Sequence, residues 1–205
     1  MSRSVKLSMS YFKSPIRYYC VVLSIFIIIF IFLVYHNVKP KNNSRLIRIK
    51  VDGKWGYSDD RGNIVIPIQF DDACPFSEGL ARVTRNQKSG YINPAGNIII
   101  DLKYDEVLGF IGGLAPVKIK GKWGYINKLG ILVIPPQFDE AWGFSEGTAC
   151  IKIGDQYGYI DKNGQYVLPP QYNSAGSFSN GVAQIELDGV TKYIDKKGRK
   201  IILKQ

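Results

Sequence analysis

Histidine is nearly missing from this chain: one residue, His36, in 205. Everything after it lacks an imidazole that could act as a general base, activate a serine or cysteine nucleophile, or ligate a metal. Cysteine is scarce too. Cys20, Cys74 and Cys150 make no CxxC and no metal-ligand spacing. They read as free, buried or half-buried thiols, with a Cys74–Cys150 disulfide left open as the alternative for an oxidising compartment. No Walker loop, no GxGxxG after a strand and no HExxH occurs. Acidic residues are absent from positions 1–45, which hold seven Lys/Arg. The remaining positions carry 20 basic and 17 acidic residues, a net of only +3 out of the chain's +10. That balance excludes the broad positive field needed to bind phosphate backbones, so no nucleic-acid partner is expected. No cofactor, metal site or catalytic residue is expected either.

What the N-terminal part does have is one long apolar run. Tyr18–Tyr35 reads YYCVVLSIFIIIFIFLVY, 18 residues without a charge. As a helix it would measure roughly 27 Å, close to a hydrocarbon core. Tyr18, Tyr19 and Tyr35 stand at its ends, where amphipathic rings favour the interface. The run is longer and bulkier than a signal-peptide core, and Tyr35-His36-Asn37-Val38 offers no small-residue cleavage pattern. The expected organisation is a basic tail (1–17), a transmembrane helix (18–35), a linker (36–45) and a repeat domain (46–205). A single-pass membrane protein with its repeats outside the cytoplasm is expected, because the short basic tail favours the inside.

The remainder is periodic. Tyr57, Tyr91, Tyr125, Tyr159 and Tyr193 are spaced by 34 residues, and a glycine follows each five positions later. Phe76, Phe110, Phe144 and Phe178 make another column, and Gly79, Gly113, Gly147 and Gly181 a third. A 34-residue period also suits paired helices, but glycine and proline recur too often for them. The intervening runs alternate with period two: Ala115, Val117 and Ile119 on one side, Pro116, Lys118 and Lys120 on the other. The pattern predicts an all-β chain of five tandem three-stranded repeats in an open curved array, with a closed propeller-like ring as the alternative. In the third repeat the strands are expected at Leu114–Lys120, Trp123–Asn127 and Ile131–Ile134. Proline at 67, 135 and 169 is expected to end the third strand, since it cannot donate to a ladder.

The stretch Gly121-Lys122-Trp123-Gly124-Tyr125-Ile126, with Val133-Ile134-Pro135-Pro136-Gln137-Phe138-Asp139 and Phe144-Ser145-Glu146-Gly147, resembles the bacterial WG-repeat family over about residues 46–205. The resemblance implies an envelope or surface protein with a binding or scaffolding role. Ser89, Tyr157 and Thr191 depart from it at the tryptophan, and Lys192 at the following glycine. The fifth repeat is therefore expected to be a degenerate cap.

Recurring aromatics Trp55, Tyr57, Tyr91, Trp123, Tyr125, Tyr157, Tyr159 and Tyr193 are expected to form the core between repeats. The adjoining glycines are expected to make room for them. Trp142 stands in a column otherwise filled by Cys74, Leu108 and Gly176. Free of the repeat constraint, it is the candidate surface recognition residue. The acidic pairs Asp71-Asp72, Asp105-Glu106 and Asp139-Glu140 recur once per repeat, as turn residues do and catalytic pairs do not. The expected function is a non-catalytic module binding a protein partner, with carbohydrate or cell-wall glycan binding as the alternative.

Overall fold

The computed structural model describes residues 46–202. The tail 1–17, the expected membrane helix 18–35 and the linker 36–45 lie outside them. Among the described residues no helix is long and apolar enough to cross a membrane.

The described chain is all-β and forms five antiparallel sheets. The first contains β1 (Ile47–Val51), β2 (Lys54–Ser58) and β3 (Ile64–Phe70). The second contains β4 (Asp72–Ala73), β5 (Ala81–Arg85), β6 (Lys88–Ile92) and β7 (Ile98–Tyr104). The third contains β8 (Glu106–Val107), β9 (Leu114–Ile119), β10 (Lys122–Asn127) and β11 (Leu132–Phe138). The fourth contains β12 (Glu140–Ala141), β13 (Ala149–Ile153), β14 (Gln156–Ile160) and β15 (Tyr166–Tyr172). The fifth contains β16 (Ser174–Ala175), β17 (Ala183–Leu187), β18 (Val190–Ile194) and β19 (Lys200–Ile201). Each is a meander whose strands pair in sequence order.

The expectation of three strands per unit is corrected for four of the five sheets. The connector after each long outer strand contributes a two-residue strand to the next sheet, such as Glu140–Ala141 on β13. Two residues are too few to show an alternation, so only main-chain pairing reveals it. Proline also behaves differently from expectation. Pro67 lies inside β3, Pro135 and Pro136 inside β11, and Pro169 inside β15, each on the outermost strand where no further partner asks for an N–H. The register explains their place: Trp123 pairs with Phe138 and Tyr125 with Ile134, so three residues of β11 bulge opposite Gly124 alone.

That bulge requires the glycine. A Cβ on Gly124 would lie 2.5 Å from the Ile134 carbonyl oxygen and 2.8 Å from the Pro136 nitrogen. Gly56 and Gly158 meet backbone of their own outer strands in the same way. The glycine column thus makes room for backbone within its own sheet, and not for a neighbouring aromatic ring as its position beside the aromatics suggests.

The apolar core lies between sheets. Four buried clusters join the first sheet to the second, the second to the third, the third to the fourth and the fourth to the fifth. Among the described residues no such cluster joins the fifth sheet to the first. Each sheet alone leaves one face unburied, so stability depends on neighbours, as in other repeat arrays.

Candidate recognition surfaces

Most recurring polar residues are used to fasten one sheet to the next. Tyr57, Tyr91, Tyr125 and Tyr159 are fully buried. Their hydroxyls donate to the carbonyls of Cys74, Leu108, Trp142 and Gly176, at 2.7, 2.6, 2.9 and 2.7 Å. Each bond crosses to the following sheet. A phenol there keeps its ring in the core and satisfies a carbonyl that would otherwise be stranded, a net contribution of about 0.5–1.5 kcal/mol apiece. Burial pushes all four phenols well above their ordinary pKa. Tyr193 is half-buried in the last sheet.

The acidic column also has a structural occupation. One carboxylate oxygen of Asp105 accepts from the Lys120 backbone N–H at 2.8 Å, and one of Asp139 from Gly154 N–H at 2.8 Å. The other oxygen takes a lysine of the preceding sheet: Lys88 on Asp105 at 2.7 Å and Lys122 on Asp139 at 2.5 Å. Asp71 does the same with Asn86 and Lys54. The lysines, then the backbone donors, hold these carboxyls below their usual range. A general acid needs the opposite shift. A further column was not singled out from the sequence: Asp59, Asn93, Asn127, Asp161 and Asp195. Each side-chain oxygen accepts two backbone N–H groups of its own turn, as Asn127 does from Leu129 and Ile131 at 3.0 Å. Recurrence of Asp or Asn at one position before the turn glycine was the available signal.

The tryptophans divide. Trp123 is buried, 7% exposed, in the cluster between the third and fourth sheets. Trp142 is half-buried, its ring centroid 5.8 Å from that of Tyr157, and it packs on the cluster between the fourth and fifth sheets. Its carbonyl belongs to the Tyr125 fastening, while its side chain remains partly exposed. Tyr157 is likewise half-buried, with the Lys152 ammonium 5.2 Å from its ring centre. These aromatics sit together with Lys152 and Glu140, which pair at 3.2 Å.

Trp55 occupies a different setting. It is half-buried beside a groove of about 570 Å³ lined by Leu46, Ile47, Arg48, Trp55 and Pro75. Arg48 and Lys50 both lie over its ring, at 5.2 and 5.3 Å from the centroid. Arg48 also donates to the Ala73 carbonyl at 2.8 Å. The groove lies at the start of β1, between Trp55 of β2 and Pro75 just after β4. Cys74 is half-buried and Cys150 buried; both are free thiols. Burial raises the Cys150 thiol to about 12.

A family model described as the WG containing repeat matches residues 55–88, 90–123, 123–157 and 157–190. No curated protein matches the chain. Among solved structures, one described as "Crystal structure of the eukaryotic initiation factor" superposes with a TM-score of 0.52 at 12% identity, over 75% of this chain and 50% of its own. Another, "KlHsv2 with loop 6CD replaced by a Gly-Ser linker", gives 0.51 at 13% identity, over 80% of this chain and 66% of its own. The chain therefore spans half to about two thirds of the solved chains it resembles. At such identities the likeness concerns the fold.

Proposed function

The chain belongs to the WG-containing repeat family, and from that premise we propose that it is a non-catalytic, membrane-anchored module of five 34-residue repeats that binds a protein partner in the cell envelope. The groove beside Trp55 is the observation that carries the reading. It combines an apolar lining with Arg48, has Lys50 over the neighbouring Trp55 ring, and adjoins β1, whose outer edge is unpaired among the described residues, a combination suited to a polypeptide. The acidic pairs are consumed by hairpin caps and ion pairs, which supports a binding role over general acid–base chemistry. The anchor is residues 18–35, with the repeats outside the cytoplasm.

A second reading, glycan binding, has its own support in the half-buried Trp142 tilted at 49° against the half-buried Tyr157. Pull-down with the full-length chain from detergent-solubilised membranes separates the two. Retention of a protein that survives glycosidase treatment is the expected result. Retention of glycan with no protein would overturn the first reading in favour of the second. For orientation, a C-terminal alkaline phosphatase fusion is expected to be active and a green fluorescent protein fusion dark; the reverse pattern would place the repeats inside.

A further inference from the structure

In the second to fifth sheets a short strand fills one edge by the same set of bonds. Its leading residue donates its N–H to a carbonyl of the neighbouring strand: Asp71 to Thr84, Asp105 to Lys118, Asp139 to Lys152 and Asn173 to Glu186, at 2.8–3.1 Å. Three residues on, Cys74, Leu108, Trp142 and Gly176 donate to Arg82, Pro116, Cys150 and Gln184. The leading side chain, Asp or Asn, caps the hairpin beyond, at Asn86, Lys120, Gly154 or Asp188. The next residue is acidic in three of the four sheets and meets a cation of the neighbouring strand. These pairs are Asp72 with Arg82, Glu106 with Lys118 and Glu140 with Lys152. A small apolar residue follows: Ala73, Val107, Ala141 or Ala175.

On β1 the receiving half of this arrangement is present, and among the described residues the donating half is not. By position, Lys50 O matches Thr84 O, Arg48 O matches Arg82 O, and Asp52 N–H matches Asn86 N–H. Among the described residues no strand pairs with this edge. Both cation positions used in the other sheets are filled, by Arg48 and Lys50, and neither makes an ion pair among the described residues. Lys118 and Lys152, which lie over Trp123 and Tyr157 as Lys50 lies over Trp55, each hold a glutamate.

We propose that the edge of β1 receives an extended segment of a partner protein with the pattern Asp/Asn–Asp/Glu–Ala/Val, added antiparallel as the fourth strand of the first sheet. The main chain supplies affinity through Lys50 O, Arg48 O and Asp52 N–H. The second acid supplies selectivity by pairing with Lys50 and Arg48. The proposal rests on the protein-binding reading above and names its site and ligand.

The test is fluorescence anisotropy of a labelled peptide, Gln-Phe-Asp-Glu-Ala-Trp, the sequence of residues 137–142, titrated with the full-length chain in detergent micelles. Saturable binding is expected. Lys50→Glu should weaken it at least tenfold and bind the peptide carrying Lys in place of Glu better than the unaltered chain does. Near-ultraviolet circular dichroism of the variant checks that the sheets are intact. Methylating the peptide nitrogen of Asp, which would donate to Lys50 O, should abolish binding. Equal binding of the methylated or scrambled peptide, or no binding to the folded chain, overturns the proposal. If the peptide fails while a protein is still retained in the pull-down, this docking mode falls and the protein-binding reading stands. Glycan retention alone would remove the reading itself.

Discussion

Gly124→Ala adds a single methyl group at the place where the fold has least room. The new Cβ would lie 2.5 Å from Ile134 O, 2.8 Å from Pro136 N and 2.9 Å from the Pro135 carbonyl carbon. Ordinary contact begins near 3.4 Å, so the β11 bulge must retreat by about 0.9 Å. All three obstacles are backbone, two of them in prolines whose φ is fixed, so no rotamer change relieves the overlap. Retreat also loosens the pairing of Trp123 with Phe138, whose rings belong to the cluster between the third and fourth sheets. Overpacking of this kind costs about 1–3 kcal/mol, and a backbone obstacle places it toward the upper end. For a chain of this size that is roughly 4–12 °C in Tm. Gly121→Ala is the control. Nothing lies within 4 Å of its Cβ, but its φ of +82° imposes left-handed strain, about 1–2 kcal/mol. Thermal unfolding followed by near-ultraviolet circular dichroism should rank Gly124→Ala below Gly121→Ala, and both below the unaltered chain. A Gly124→Ala protein as stable as the unaltered chain would show that the glycine column is not set by the bulge.

Three other outcomes are expected. Tyr125→Phe keeps the ring but removes the hydroxyl bonded to the partly buried Trp142 carbonyl, at a cost of about 1–3 kcal/mol in denaturant unfolding. Tyr166→Phe, on a half-exposed ring, should cost almost nothing. The depressed carboxyls of Asp71, Asp105 and Asp139 contribute stability that is fully present above their unfolded pKa of about 3.9 and lost as pH falls through their lower folded values. Tm should therefore hold from pH 8 to 5 and fall below about pH 4. Asp139→Asn should blunt that fall while keeping the hairpin cap, since Asn173 makes the same bond to Asp188 N–H at 3.0 Å. An acid limb unchanged by Asp139→Asn would remove the carboxylates as its cause. Finally, Trp123→Ala should cost about 3–5 kcal/mol. Trp142→Ala, half-buried on Tyr157, should cost clearly less; equal losses would erase the distinction between the two.

The aromatic columns were legible because side chains of one type at a fixed period leave a trace in sequence. What Tyr125 does with its hydroxyl was not. Its partner is a backbone carbonyl, and the residues supplying that carbonyl in successive sheets, Cys74, Leu108, Trp142 and Gly176, share no side-chain chemistry. The short strand Glu140–Ala141 was invisible for a related reason: two residues cannot display a period. Pro67, Pro135 and Pro169 read as strand ends because a missing donor matters in a central strand. On the outermost strand, opposite a glycine, the same residues continue it. The groove at Trp55 depends on which edge remains unpaired among the described residues, a property of sheet assembly that no single repeat records.

Site-specific photocrosslinking of the full-length chain in its native cells tests protein recognition at the first sheet most directly. A photoreactive phenylalanine at Ile47, on the groove, is compared with one at Ile99, on an outer strand; the native residues are 48% and 46% exposed. A discrete protein adduct from position 47, lost in the Lys50→Glu background and absent from position 99, is the predicted result. An adduct at 99 alone would move the interface elsewhere on the repeats, and the absence of a protein adduct at either position would contradict protein recognition at the first sheet.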